Sequence, residues 1–239
     1  MGDKAFKPNL WAAIGTLVIC GLFSTLGAWQ LQRGLEKAEI VERFDKAASK
    51  TPRALSAGSW AEQGVVETAQ TSGTYDGEKQ LLLDGQSHDS TPGYRVWTPV
   101  VFADGGGVLV VDRGWIPAGA DRAQLPQLPV PTGVQSISGY FRTFPVPGMR
   151  TDVDNCAEAP WPRIVQYPTI EDMRCLYGQS TAGGLLLLSA DAEGGFVRAW
   201  SSGPEMSPTK HYGYAGQWFL FAVVLLVLFI RFSFKPKTT

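Results

Sequence analysis

Residues 94–115 read YRVWTPVVFADGGGVLVVDRGW, and this stretch decides the middle of the chain. Its two arms, YRVWTPVVF and VLVVDRGW, are rich in β-branched and aromatic side chains, which pack well on a pleated surface. Between them, Ala103-Asp104-Gly105-Gly106-Gly107 supplies residues that tolerate the positive φ of a tight connection, so the stretch spells a β-hairpin. The glycine run is explained by the turn rather than by phosphate binding. Working outward, further strands are expected at Val65–Tyr75, Gln80–Gly85, Gln135–Phe141, Gly184–Ala190 and Val197–Trp200. Pro117–Pro131 and Pro145–Pro162 read as loops. Short strands with turn signals imply a mostly antiparallel sheet curled into a barrel or sandwich, in which closure protects the strand edges.

Beyond this polar, Gly- and Pro-rich middle lie two apolar runs. Residues 10–29, LWAAIGTLVICGLFSTLGAW, carry no charge. At ~1.5 Å per residue they reach ~30 Å, the thickness of a bilayer's hydrocarbon core. A cleaved signal peptide is the competing reading, but the run is long for one and Thr25-Leu26-Gly27 is a poor cleavage site. The second run, Tyr212 to Phe232, centres on WFLFAVVLLVLFI and ends in Arg231, Lys235 and Lys237. The expected class is therefore a membrane protein, two transmembrane α-helices flanking a mostly antiparallel β domain with one amphipathic helix. Its parts are a tail (1–9), a first span (10–29), the β domain (30–211), a second span (212–231) and a tail (232–239). Lys4, Lys7, Arg231, Lys235 and Lys237 in the short tails favour cytoplasmic termini and an outward domain, although Arg33, Lys37 and Arg43 crowd the other end of the first span.

Residues 31–50 continue helically, with Leu31, Leu35, Ala38 and Val41 at helical spacing and Glu39–Arg43 and Glu42–Lys46 as i,i+4 pairs. Thr51-Pro52 ends this helix. In the first span Ala12, Thr16, Cys20 and Ser24 form a ridge of small side chains suited to close helix packing in lipid. Gln217 is a polar residue in the second span that needs a partner. The spans pair with each other or pack on a larger complex. An oxidising outer compartment would allow Cys156 and Cys175 to pair; two free thiols are the alternative.

The formal net charge of −1 argues against a nucleic-acid partner. No Walker loop, dinucleotide fingerprint, nucleophile elbow, C-x-x-C or H-E-x-x-H occurs, and Ser87-His88-Asp89 reads as a solvated turn rather than a triad. The chain is therefore not expected to be an enzyme. One candidate constellation remains, at the outer end of the second span in KHYGYAGQWF. There His211, Tyr214, Ala215 and Trp218 share a helical face at i, i+3, i+4 and i+7. An imidazole there suits axial ligation of a haem iron, or it anchors the helix in an interfacial aromatic belt. Arg113 and Trp115 either meet a carboxylate partner or serve the strand they sit on.

Four blocks occur in order: Trp29-Gln30-Leu31 with Arg33, Gly93–Pro99 (GYRVWTP), Val111–Pro117 (VDRGWIP) and Lys210–Phe219 (KHYGYAGQWF). Together they resemble the surfeit-locus-one (Surf-1/Shy-1) family of cytochrome c oxidase assembly factors, over nearly the whole chain. Asp112 departs from the pattern, where Asn is common before R-G-W, and the segment from Thr151 to Cys175 is unfamiliar. The resemblance implies a non-enzymatic role in haem a delivery or insertion into the oxidase's large subunit, with His211 as the proposed haem contact. Tyr214 and Trp218 would lie beside the haem, while Arg113, Trp115 and Gln217 would meet a partner or a haem propionate. Implied partners are the large subunit, haem a synthase and membrane lipid. The implied setting is a bacterial plasma membrane with the domain in the periplasm. A scaffold that never touches haem is the rival expectation; a membrane-anchored enzyme is the third.

Overall fold

A computed structural model describes residues 4–119, 124–146, 154–198, 200 and 207–236. In chain order the elements are β1 (Lys4–Phe6), α1 (Leu10–Ala48), β2 (Arg53–Ala54), β3 (Glu67–Tyr75), β4 (Leu81–His88), β5 (Thr91–Phe102), β6 (Val108–Pro117), β7 (Gln135–Arg142), β8 (Arg163–Val165), α2 (Ile170–Tyr177), β9 (Thr181–Leu188), α3 (Pro208–Ser233) and β10 (Phe234–Pro236). Two compact units result, Met1–Ile40 with Met206–Thr239, and Val41–Glu205. Two long apolar helices thus flank a mostly-β domain in sequence.

In the β unit the predicted hairpin forms as β5 and β6, with Val101 opposite Val108. The sheet runs β2-β3-β7-β9-β6-β5-β4-β8, and an additional pairing of β3 with β5 closes β3, β7, β9, β6 and β5 into a ring. That closure is a small barrel, and it leaves the ring without a free edge. Its interior holds Tyr75, Val100, Phe102, Leu109, Val111, Ile137, Phe141, Leu186 and Leu188, in one buried cluster. The alternating register explains this: Val111 and Leu186 point inward, whereas their neighbours Asp112, Leu185 and Leu187 face the outer side of the wall. Most pairings are antiparallel, but β2–β3, β4–β8 and β6–β9 are parallel. Val197, expected in a strand, forms an isolated bridge to Trp115 instead.

Two features escape the strand pattern. α2, C-terminal to the Pro145–Pro162 segment and in a stretch where no element is expected from the sequence, starts at a capping box in which Thr169 and Asp172 exchange hydrogen bonds. A disulfide joins Cys156 to Cys175 in this helix, with Cα atoms 6.2 Å apart. The end of α1 also belongs to this unit. There Phe44 and Ala47 are buried, Phe44 meets Tyr140 edge-on at 5.0 Å, and the Thr68 hydroxyl donates to the Ala47 carbonyl at 3.2 Å. The expected stripe through Leu31 and Leu35 is not the packed one, since Leu35 is 58% exposed.

In the other unit α1 and α3 form an antiparallel pair. Both helices are long and apolar enough to cross a membrane. At the chain ends β1 and β10 pair antiparallel, Lys4 opposite Pro236, with Phe6 and Phe234 rings 5.4 Å apart. Lys237 lies outside the described residues.

Candidate functional site

The seam between α1 and α3 follows a heptad rhythm. On α1 the residues turned inward are Thr16, Cys20, Phe23, Gly27, Gln30 and Gly34, alternately four and three apart. On α3 they are His211, Ala215, Trp218, Ala222, Leu225 and Phe229, in the same rhythm. A spacing averaging 3.5 keeps one stripe facing its partner along two left-handed supercoiled helices. A strict four-residue row drifts off that stripe, which is why Thr16 and Cys20 of the expected ridge lie in the seam while Ala12 and Ser24 are exposed. The Cys20 thiol lies 3.5 Å from the Ala222 carbonyl, as a weak donor. Glycines permit the close approach: a Cβ at Gly27 would sit 2.8 Å from the Phe219 ring, and one at Gly34 would sit 2.4 Å from that of Tyr212.

In the first turn of α3, within this seam, lies His211, 9% exposed, with Nδ1 2.7 Å from the Gln30 side-chain oxygen. An amide oxygen only accepts, so Nδ1 carries a proton, and in the neutral tautomer with that proton the lone pair lies on Nε2. Nε2 has no hydrogen-bond partner among the described residues. Acceptors that bond the far ring nitrogen in this way orient metal-bound histidines by fixing tautomer and ring angle. Among the described residues no cluster of three His, Cys, Asp or Glu could hold a metal ion, so any metal role for His211 would be as a ligand to a pre-assembled group.

Of the other expected haem neighbours, Trp218 lies in the seam, its ring 5.6 Å from Phe23. Tyr214, 45% exposed, points away: three residues on from His211 is ~60° back around a helix, outside the packed stripe. Gln217 is exposed on the outer face of α3, so the polar partner across the seam is Gln30 rather than Gln217. Gln30 was quoted in the sequence only for its resemblance. Its position between Gly27 and Gly34 in a heptad register, polar on the stripe that also carries Cys20 and Phe23, is the signal that singles it out.

The barrel places Arg113 elsewhere and uses it differently. Between Arg95 and Trp97 on β5 the register shifts, so that Arg113 and Gly114 together oppose Val96 as a bulge. Gly114 has φ +114°, and a Cβ there would lie 2.6 Å from the Val197 carbonyl, so only glycine suits the R-G-W step. Arg113 is 1% exposed. Its Nε donates to the Gly194 carbonyl at 2.6 Å, Nη1 to Gln80 Oε1 at 3.0 Å and to Thr98 Oγ1 at 3.4 Å, and Nη2 to the Pro129 carbonyl at 2.5 Å. Its guanidinium also stacks 4.8 Å from the Phe196 ring centre. Burial lowers its pKa to about 10, opposed by the Tyr75 hydroxyl. Every nitrogen is engaged within the chain, tying two loops to the barrel, and none is offered to a partner. Trp115, half-buried, covers Gly93 and meets the His88 ring at 5.2 Å.

Asp112, the departure before R-G-W, is also buried. Its Oδ2 accepts from Arg95 Nε at 2.7 Å and from Trp97 Nε1 at 2.9 Å, and its Oδ1 from the Gly114 N–H at 3.0 Å. Burial pushes this carboxyl above its usual range, while Arg95 and the N–H donors pull it back. Sequence reading missed the Asp112–Arg95 pair, because residues 17 apart meet only once the hairpin register is known.

Fold and seam define a class: a small β-barrel inserted in sequence between two apolar helices that pair through a histidine–glutamine seam. The SURF1 family model matches residues 17–223, from the first apolar helix into the last, and the chain belongs to the SURF1 family, whose members are assembly factors for cytochrome c oxidase. Comparison with curated proteins finds no match.

Proposed function

We propose that this protein holds haem a at His211 during assembly of cytochrome c oxidase and releases it to the oxidase's large subunit. The observation that carries this reading is the His211–Gln30 pair, in which Nδ1 bonds the Gln30 side-chain oxygen and Nε2 has no partner among the described residues. When bound, haem a supplies an iron that takes such a nitrogen as axial ligand. His211 would be that ligand, Gln30 would hold its ring angle, and Trp218 would wall the site from the α3 side. The small Ala215 keeps the next turn low. At 9% exposure the imidazole is reached only when neighbouring side chains part, which suits transient holding rather than permanent residence. Coordination and handover need no catalytic acid or base, so the role is not enzymatic.

A docking role for α3 has support of its own. Gln217 is exposed on the outer face of a span, and an amide in lipid is stabilised by a hydrogen-bonding helix of another membrane protein. The large subunit and haem a synthase are the partners this suits. The Cys156–Cys175 disulfide supports an oxidising, periplasmic setting for the barrel in a bacterial plasma membrane. Lys4, Lys7, Arg231 and Lys235 near the chain ends support a cytoplasmic side for them.

The test is an absorption spectrum of the full chain, purified in detergent from cells that make haem a, beside His211→Ala. A Soret band with haem a character, lost in the variant while α1–α3 pairing persists, supports haem holding. A colourless wild type that still co-purifies with the large subunit leaves the scaffold and removes the haem.

A further inference from the structure

A cavity of about 130 Å³ opens on the outer face of the barrel wall built by β5, β6 and β9. It lies wholly within the β unit and owes nothing to the His211 reading. Its floor is aliphatic, from Leu83, Leu185 and Leu187, and its sides include Trp97, Tyr167 and Trp200. The charged groups among its described lining residues are Arg95, Asp112 and Arg142.

Their pairing is unequal. Asp112 is matched by Arg95, which bonds it at 2.7 Å and lies with its guanidinium 4.3 Å from the Trp200 ring centre. Arg142, at the end of β7, has only a 3.2 Å bond from Nε to the Thr143 carbonyl and no carboxylate partner among the described residues. Two cations and one anion leave this small, largely apolar space with one uncompensated positive charge. A guanidinium beside a second one is unfavourable in a desolvated place; burial first, and Arg95 second, push the Arg142 pKa down, and the Asp112 carboxylate, already bonded to Arg95, pulls it part of the way back. Compare Arg113, equally without a carboxylate but with every nitrogen bonded to carbonyl or side-chain oxygens. Arg113 is saturated, whereas Arg142 has one hydrogen bond among the described residues.

We propose that this cavity binds a small carboxylate on a short apolar stem, with the planar guanidinium of Arg142 taking the carboxylate and the leucine and tryptophan walls taking the stem. Its volume equals roughly four waters at ~30 Å³ each, enough for a carboxylate and a few carbons but not for a drug-sized molecule. A guanidinium fork matches a carboxylate bidentately, and the apolar floor disfavours a bare inorganic anion.

The experiment uses the full chain in detergent, titrated with butyrate and with its neutral isostere butyramide, read by thermal unfolding and by saturation-transfer NMR. Wild type, Arg142→Gln and Arg163→Gln are compared; Arg163 lies outside the cavity, against Trp161. Butyrate is expected to raise the wild-type melting temperature and show transfer, with butyramide doing neither. Arg142→Gln is expected to weaken butyrate binding by ~10-fold or more, since a charge-assisted hydrogen bond is lost. Its melting temperature without ligand should stay level or rise, because an unmatched charge leaves the cavity. Arg163→Gln should bind as wild type. The proposal is overturned if butyrate does not bind, if butyramide binds equally, or if Arg142→Gln binds butyrate unchanged. A marked fall in the ligand-free melting temperature of Arg142→Gln overturns it too, by making Arg142 structural.

Discussion

The two units bury polar side chains under opposite rules. In the barrel, Arg113 engages Gln80, Thr98 and the Gly194 and Pro129 carbonyls, so the network is closed on itself. In the helix pair, His211 meets Gln30 through one nitrogen and leaves the other unshared. A closed network specifies structure, because each member would be stranded by loss of another. An open one keeps a donor electron pair for something outside the chain. The difference separates two residues that a motif search ranks alike, both lying in the most family-specific blocks.

Removing Arg113 should have the largest effect. Arg113→Ala strands the Gly194 and Pro129 carbonyls and leaves Gln80 Oε1 with the Thr98 hydroxyl alone, and is expected to cost about 3–5 kcal/mol of barrel stability, measured by chemical denaturation followed by tryptophan fluorescence. An unchanged midpoint together with lost oxidase assembly would break the comparison by making Arg113 a contact residue. Next comes the disulfide. Cys156→Ser should destabilise the β8–α2 region by about 3 kcal/mol, as expected for a loop of this length, with the change visible in hydrogen exchange of α2. In the helix pair, Gly34→Ala should cost about 1–3 kcal/mol of α1–α3 association through its clash with Tyr212, and Tyr212→Ala should restore it. Failure of that rescue would mean that the glycine acts by some route other than space.

Gln30→Leu sharpens the comparison from the other side. It frees the imidazole to choose either tautomer, and is expected to weaken haem affinity about tenfold while the helices still pair. If affinity instead holds and pairing fails, the His211–Gln30 bond is a closed structural contact like those of Arg113. The smallest effect belongs to Leu35→Gln, at an exposed position beyond the seam, where stability should move by less than ~0.5 kcal/mol.

Much of this was legible in the residues. The glycine turn at 103–107 and its β-branched arms announce β5 and β6, and two charge-free runs announce α1 and α3. Parallel pairing of β6 with β9 was not legible, since periodicity tells that a strand is buried but not which neighbour it takes. α2 was not legible, because eight residues carry too little helical pattern. His211 stood out by type and place. Gln30 did not, because its meaning depends on a seam whose 3.5-residue rhythm the eye replaced with a four-residue one. The Arg95–Asp112 pair and the unmatched Arg142 needed the hairpin register and the end of β7 before they could be seen together.

The little ribbon of β1 and β10 bears on the order of events in time. Lys4 faces Pro236 and the Lys7 N–H reaches the Ser233 carbonyl, so segments on opposite sides of the whole barrel sequence are neighbours. A ribosome delivers the chain from the amino end, and the clasp stays open until translation has passed residue 236. The barrel, whose strands lie between, has every partner it needs well before then. Closure of the clasp therefore follows synthesis of the whole barrel, and a chain cut short before Phe234 would carry a folded barrel and unclasped apolar helices.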